Sequence, residues 1–320
     1  MSRVLAVAAI LALGSGAQTA LAVDTLRVGN AAPTAFSFVW VKLGDQAGIY
    51  ARHDLKLEHF GFPGGGRVDS GLISGDIDIG LNSGAAMAGV GKGVPAKAIA
   101  AMAYEPSHLV IAVRVDTNIH KPQDLKGARI ATSTAGALTD WLPHEVSKQL
   151  GWGADGIKTQ PLGASSSMLA GLKTKQVDGL VTGVAQSYDL ADRGETRTVL
   201  NFGTYLPDFV SNVLFASDAL IAKNPDAVRR FVLASIESVK YMKSHKAETV
   251  ALAVKETNVR EQYTARSYDE LMPSYSETGR FGAKALAVLQ RSFVELGQFE
   301  TPPDMSKLYT EKFLPGAMTQ

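Results

Sequence analysis

Five short segments of this chain have the side chains to hold a ligand: Asn30 to Phe36, Asn82-Ser83-Gly84, Thr132-Ser133-Thr134-Ala135-Gly136, Gly163 to Ser166, and Thr182-Gly183. They consist of hydroxyls, amides, glycines and small apolar residues, with no carboxylate, and Arg67 is the only cation nearby. Such groups suit binding better than bond cleavage. The first amides of a helix have no intrahelical acceptor, so N–H groups and hydroxyls gathered at helix starts hold an oxyanion without a counter-charge. Capping its own helix is the ordinary use of any one such segment. Five of them at equivalent places around one cleft point to a shared ligand site.

The motifs of covalent and metal chemistry are missing. His144-Glu145 has the start of a zinc-protease helix, but Lys148 stands where the second histidine belongs. There is no GxSxG elbow, and Gly91-Lys92-Gly93 lacks the upstream glycine and following hydroxyl of a phosphate loop. With no cysteine in the chain, disulfides, thiolate metal sites and cysteine nucleophiles are excluded. Asp78 and Asp178 could be taken for paired catalytic carboxylates, yet each sits at the same place in its own half, so both are expected to fix turns through backbone N–H bonds. No catalytic residue, metal ligand or cofactor is expected. The formal net charge of +1, without blocks of like charge, gives no attraction to nucleic acid or membrane surfaces.

The elements that would position these loops repeat. Thr25–Gly29 reads as a strand, Val39 to Tyr50 as an amphipathic helix, and Leu55–Phe60 as a second strand. The stretch GGGRVDSGLISGDIDIGLNSG, residues 64 to 84, follows with glycines that cost roughly 0.5–1 kcal/mol each inside an element, so they mark tight turns or close approaches. It divides into a helix Arg67–Ser74, a left-handed stop at Gly75 and a strand Asp76–Leu81. Residues 125 to 186 run through the same order, and Gly171, Leu172, Asp178 and Thr182 lie 100 positions after Gly71, Leu72, Asp78 and Asn82. Alternating strands and helices predict two parallel α/β halves, with loops leaving strand C-termini to form a crevice. The chain is expected to cross between them near Ala101–Arg114 and again near Phe209–Ala216, which makes a hinge. Beyond Ser217 it reads as helical, with Asn224-Pro225 opening a helix whose Val228, Phe231, Val232, Ile236 and Val239 share one packing face. The aromatics Phe36, Trp40, Phe62, Tyr104 and Trp141 could wall the organic part of a ligand.

The chain resembles the periplasmic substrate-binding proteins of ABC importers, in the group that handles sulfonates, taurine and nitrate and shares its domain with thiamine-pyrimidine synthases. The resemblance spans most of residues 24–315 and is carried by LRVGNAAPTAF, AGIYARHDLKLEHFGFPGGG, GLISGDIDIGLNSG with AGVGKGVPAKAIAAMAY, HKPQDLKGARIATSTAG, and QLGWGADGIKTQPLG with LAGLKTKQVDGLVTG. It implies an α/β, two-lobe type II fold with a ligand cleft and two crossover segments: lobe I from 23–105 and 211–320, lobe II from 106–210. It also implies a monomer that binds a small molecule and docks on an inner-membrane permease driven by a partner ATPase. The matching loops place ligand contacts on Asn30, Thr34, Asn82, Ser83, Thr132, Ser133, Thr134, Ser165 and Thr182. The same loops and their flanks add Phe36, Gly65, Gly84, Tyr104, Gly136 and Gly183 to the expected site. Sulfonate binders of this group carry Gly-Ser in the first loop and a Trp-Asp-Pro-like motif in the last. Here stand Asn30-Ala31-Ala32-Pro33 and Thr182-Gly183-Val184-Ala185-Gln186. The ligand is therefore read broadly, as a sulfonate, nitrate, carboxylate or similar solute, with a neutral pyrimidine-like heterocycle or a receptor-linked sensing role as alternatives.

The first 22 residues read as an export signal. Arg3 precedes the apolar run Val4–Leu13, and Ala20-Leu21-Ala22 fits a cleavage site. The run stops at Gly14-Ser15-Gly16, well short of the ~20 residues a spanning helix needs. Cleavage near Ala22 and a periplasmic location are expected.

Overall fold

Ten strands divide between two sheets. They are β1 (Asp24–Asn30), β2 (Leu55–Gly61), β3 (Ile79–Asn82), β4 (Ala96–Tyr104), β5 (Leu109–Arg114), β6 (Arg129–Thr132), β7 (Lys158–Pro161), β8 (Gly179–Gly183), β9 (Thr196–Asn201) and β10 (Val210–Ser217). This computed structural model describes residues 23–316, and the expected export signal lies outside the described residues. Sheet order is β2-β1-β3-β10-β4 in one lobe and β7-β6-β8-β5-β9 in the other. The two orders correspond strand for strand, so the internal repeat is a repeat of topology as well as of sequence.

The sheets are mixed, where the alternation of elements predicts parallel ones. β1 pairs in parallel with β2 and β3, and β6 with β7 and β8, but β10 and β5 run antiparallel to both their neighbours. These two are the first strands laid down after each crossing. Each enters its new sheet from the cleft side, opposite to the helix-connected strands, so its direction is reversed.

The duplicated aspartates anchor the repeat. Asp78 accepts Arg27 N at 3.0 Å and Nε at 2.9 Å through Oδ2, and Nη2 at 2.7 Å through Oδ1. Asp178 does the same for Arg129, with N at 2.9 Å, Nε at 3.1 Å and Nη2 at 2.8 Å. A carboxylate receiving one backbone and two guanidinium N–H groups clips the middle strand of each sheet to its neighbour. The aspartates are structural, as expected, but they do not fix turns: each bonds an arginine on the neighbouring strand, 51 and 49 residues away, a partner that local sequence does not reveal.

Two element boundaries differ from expectation. The third strand starts at Ile79 rather than Asp76, because Asp76 N and Ile77 N donate to Gly71 O and finish the preceding helix, Gly65–Ser74. The helix expected to run to Tyr50 is broken into a 3-10 turn Phe36–Phe38 and helices Val39–Gln46 and Ile49–Arg52, with Gly48 at φ +69° between the last two. Past β10, helix Pro225–Ser244 buries Val228, Phe231, Val232, Ile236 and Val239, and Asn224 Oδ1 caps it through Ala227 N at 3.0 Å.

The C-terminal helices fasten the lobes on both flanks of the cleft. On one side Arg260 Nη2 lies 2.8 Å from Asp192 Oδ2, Tyr188 OH donates to Glu270 at 2.7 Å, and the Arg266 guanidinium sits 3.9 Å above the Tyr188 ring. On the other, Ser292 Oγ donates to the buried Glu145 at 2.7 Å, and Trp141 meets Phe293 edge-on at 5.4 Å. No helix among the described residues is long and apolar enough to cross a membrane.

Candidate functional site

Between the lobes lies a cavity of about 350 Å³, the size of a small-molecule site. Four helices begin at its wall: Gly65–Ser74, Leu138–Gln149, Ser165–Lys173 and Val184–Asp192. Their N-cap residues are Gly64, Ala137, Ala164 and Gly183, none of which makes a side-chain cap bond. A glycine or alanine at that position has no side-chain group with which to satisfy the leading amides. Val184 N is taken by His108 O at 3.0 Å, and Arg67 N, Asp140 N and Ser167 N bond back to the carbonyls of Gly64, Ala137 and Ala164. The first two amides of the Gly65, Leu138 and Ser165 helices are therefore the ones left for a ligand. Of the helices that begin away from the cavity, those at Asp218 and Pro225 are capped by Ser217 and Asn224 side chains, while those at Lys246 and Ala283 also lack a side-chain cap, so it is the convergence of four starts on one cavity that marks the site.

Among the described residues, no aspartate, glutamate, lysine or arginine lines the cavity. Arg67 points into solvent. The apolar part of the wall includes Phe36, Phe38, Phe62, Leu138, Met168 and Leu271. Among the polar groups, Ser83 Oγ and Ser211 Oγ are buried without a hydrogen-bond partner. An unpaired buried hydroxyl costs about 1–3 kcal/mol, so these two are sites where a ligand atom would be stabilising.

The structure sorts the expected site residues. Thr34, Phe36, Gly65, Asn82, Ser83, Ser133, Ser165, Thr182 and Gly183 line the cavity. Several are already engaged. Asn82 Nδ2 donates to Gly65 O and Asp69 Oδ1, both at 3.2 Å, while its Oδ1 accepts Ser83 N at 2.9 Å. Ser133 Oγ pairs with Thr139 Oγ1 at 2.7 Å, and Thr182 Oγ1 donates to Gln186 at 2.7 Å.

Six expected residues do not line this cavity, each for a local reason. Asn30 Oδ1 folds back onto Ala32 N at 2.8 Å, an Asx turn that shapes the first loop. Thr132 is fully buried and donates to Asp140 at 3.3 Å, and the same carboxylate accepts Gly136 N at 2.9 Å. Asp140 in the first turn of its helix therefore organises that loop. A Cβ on Gly84 would stand 2.7 Å from Val210 O, so Gly84 serves close packing on β10. Tyr104 OH bonds Arg280 O and accepts Gly282 N at 3.1 Å, tying down the C-terminal segment. Thr134 Oγ1 is buried against Gly64. Of the expected aromatic wall, Trp40 is wholly buried and Trp141 packs on Phe293, leaving Phe36 and Phe62.

Gly64 marks where the lobes touch. It has φ +111°, and a Cβ there would lie 2.4 Å from Thr134 Oγ1 and 3.2 Å from Ser133 Oγ. Gly64→Ala is expected to hold the lobes apart, lowering ligand affinity about tenfold, about 1.4 kcal/mol, while the unliganded protein still folds. Calorimetric titration beside a melting curve checks this.

Beside the cavity, behind Asn82, burial pushes the Asp69 carboxyl up to about 6, and the bond from Asn82 only partly offsets it. The folded chain then holds this proton more tightly than the unfolded chain does. Ionising Asp69 removes stability as pH rises from about 4 through 6. Asp69→Asn is expected to be about 1–2 kcal/mol more stable than the native protein at pH 8 and indistinguishable from it below pH 4. Urea titrations at the two pH values test this.

The sequence reading missed His108, Leu109, Ser211, Asn212 and the residues Thr257 to Leu271 of the wall. His108 and Leu109 stand at one crossing and Ser211 and Asn212 just after the other, so the hinge strands line the site they articulate. The predicted crossings held this signal.

These features define a class of protein: a two-lobe periplasmic-binding-protein fold closed around a ligand cavity. The chain belongs to the NMT1/THI5-like family, whose model matches residues 36–249, well over half its length. The fold is similar to that of the alkanesulfonate-binding protein SsuA from Xanthomonas axonopodis pv. citri bound to MOPS, with TM-score 0.74 and 17% identity over 88% of this chain and 94% of that one. It is similar to the periplasmic aliphatic sulphonate-binding protein SsuA from Escherichia coli, at TM-score 0.72 and 19% identity over 92% and 95%. The periplasmic nitrate-binding protein NrtA from Synechocystis PCC 6803 gives TM-score 0.69 and 14% identity over 89% and 84%. No curated protein matches the chain in sequence.

Proposed function

We propose that this protein is an exported, non-enzymatic solute-binding component that captures a small organic anion between its lobes and delivers it to an ABC importer. The observation that carries the reading is the cavity wall: four helix starts without side-chain caps, two unpaired serine hydroxyls and, among the described residues, no aspartate, glutamate, lysine or arginine. Converging amide dipoles supply the positive potential that an anionic head requires. The apolar remainder receives an organic body, and a zwitterion finds no carboxylate for its ammonium. The SsuA and NrtA likenesses support the binding of a small solute, and the sequence resemblance supports delivery to a permease and its ATPase. A ligand that bridges the lobes favours their closed arrangement by its differential affinity, which is the signal a permease can read.

The test is thermal denaturation of the mature chain against benzenesulfonate, methanesulfonate, nitrate, benzoate, taurine and 4-amino-5-hydroxymethyl-2-methylpyrimidine, each at millimolar concentration. Ligands of the folded state raise the melting temperature by mass action. Organic monoanions should do so and taurine should not. A response to the pyrimidine alone would replace the anion reading by the neutral-heterocycle one, and silence throughout would remove the binding role.

A further inference from the structure

His108 ends the connection between β4 and β5, where the chain first crosses from lobe to lobe. It is 8% exposed, and what remains opens on the cavity. Within the described residues its ring receives no hydrogen bond and feels no neighbouring charge; burial alone pushes its value down to about 4. The walls facing it, from the first loop, β3, the β6 loop, β8 with its following helix, β10 and helix Glu261–Leu271, add serines, threonines, Asn82, Asn212 and Gln186 but no other ionisable group. Among the described residues the only titratable side chain in the cavity is thus held neutral by lack of a counter-charge, at the hinge.

Resting on the anion reading above, we propose that His108 is the specificity-determining charge partner of the ligand, and that capture of an anion is coupled to uptake of one proton from solvent by this imidazole. The ring in its neutral form has one N–H; protonated, it donates from both nitrogens and carries the charge that the wall lacks. An anion enclosed in the same poorly hydrated space favours the imidazolium, which raises the value of His108 in the complex. Linkage gives the sign: the complex binds protons more readily than the free protein, so affinity rises as pH falls from neutrality. A neutral ligand produces no such slope. His108 thereby adds selectivity for anions to a site whose helix dipoles would also accept neutral acceptors.

Calorimetric titration with benzenesulfonate, which stays ionised throughout, at pH 7.5 and pH 5 tests the coupling. Affinity is expected to rise about tenfold or more over that interval. Titrations in buffers of different ionisation enthalpy should show proton uptake approaching one per ligand at the lower end of the interval. His108→Gln should bind with no pH slope. Asp69→Asn should keep the slope, since Asp69 titrates in the same range from behind Asn82. Should His108→Gln not fold, NMR titration of the His108 ring in the native protein gives the same answer, with its value rising when benzenesulfonate is added. Binding that Ala164→Trp blocks but that is flat in pH, or a slope that survives in His108→Gln, overturns the His108 inference and leaves the site standing. Absence of binding at both pH values overturns both.

Discussion

Filling the cavity is expected to abolish ligand capture while the fold survives. Ala164 opens the helix Ser165–Lys173 on the rim of the cavity and is itself solvent-exposed, so Ala164→Trp places an indole over the site at little structural cost. Ser83 lies deeper, 4% exposed, with its hydroxyl unpaired, and Ser83→Trp occupies the floor. Each variant should lose at least about 100-fold in affinity, about 2.7 kcal/mol, for whatever ligand the thermal screen reveals. Ala164→Trp should melt within a few degrees of the native protein without ligand. Native affinity in both variants would move the site out of this cavity.

The second large effect falls on stability. Asp78→Ala strands the backbone N–H and guanidinium of Arg27, and Asp178→Ala strands those of Arg129. Charge-assisted bonds of this kind carry about 1.5–3 kcal/mol each when sheltered from water, so Asp78→Ala should cost about 2–3 kcal/mol in urea denaturation, and Asp178→Ala less, because Arg129 is exposed and keeps the Lys175 carbonyl. The clips lie in different sheets and share no partner, so the double variant should show the sum. At Asp78 burial pulls the carboxyl upward, but the side-chain and backbone bonds from Arg27 outweigh it and hold it below the usual range. At Asp178 the Arg129 side-chain bond dominates, with the same result. The stabilisation is therefore present above about pH 4 and is lost as acid protonates the two carboxylates. Affinity for ligand should change little, because neither residue touches the cavity. A loss of binding with unchanged stability would assign these aspartates to function instead.

The fold was legible because its signals are local and repeated. The offset of 100 between Gly71-Leu72 and Gly171-Leu172 returns as matching bonds: Asp76 N and Ile77 N to Gly71 O, and Gln176 N and Val177 N to Gly171 O. The reversal of β5 and β10 was not legible, since strand direction depends on which side of a sheet the chain enters, and no residue type encodes that.

The site divides along the same line. Residue types by themselves determined that helices would start with small residues and hydroxyls around a cleft, because capping chemistry acts over a few residues. Only the tertiary structure decided which side chains reach the cavity. Asn30, Thr132 and Gly136 have the right composition and are consumed by Ala32 N and Asp140, while His108, Ser211 and Asn212 carry no motif and reach the cavity from the crossing segments. Whether a polar atom is free for a ligand depends on the partners that distant segments bring to it, and that balance exists only once the two lobes have folded against each other.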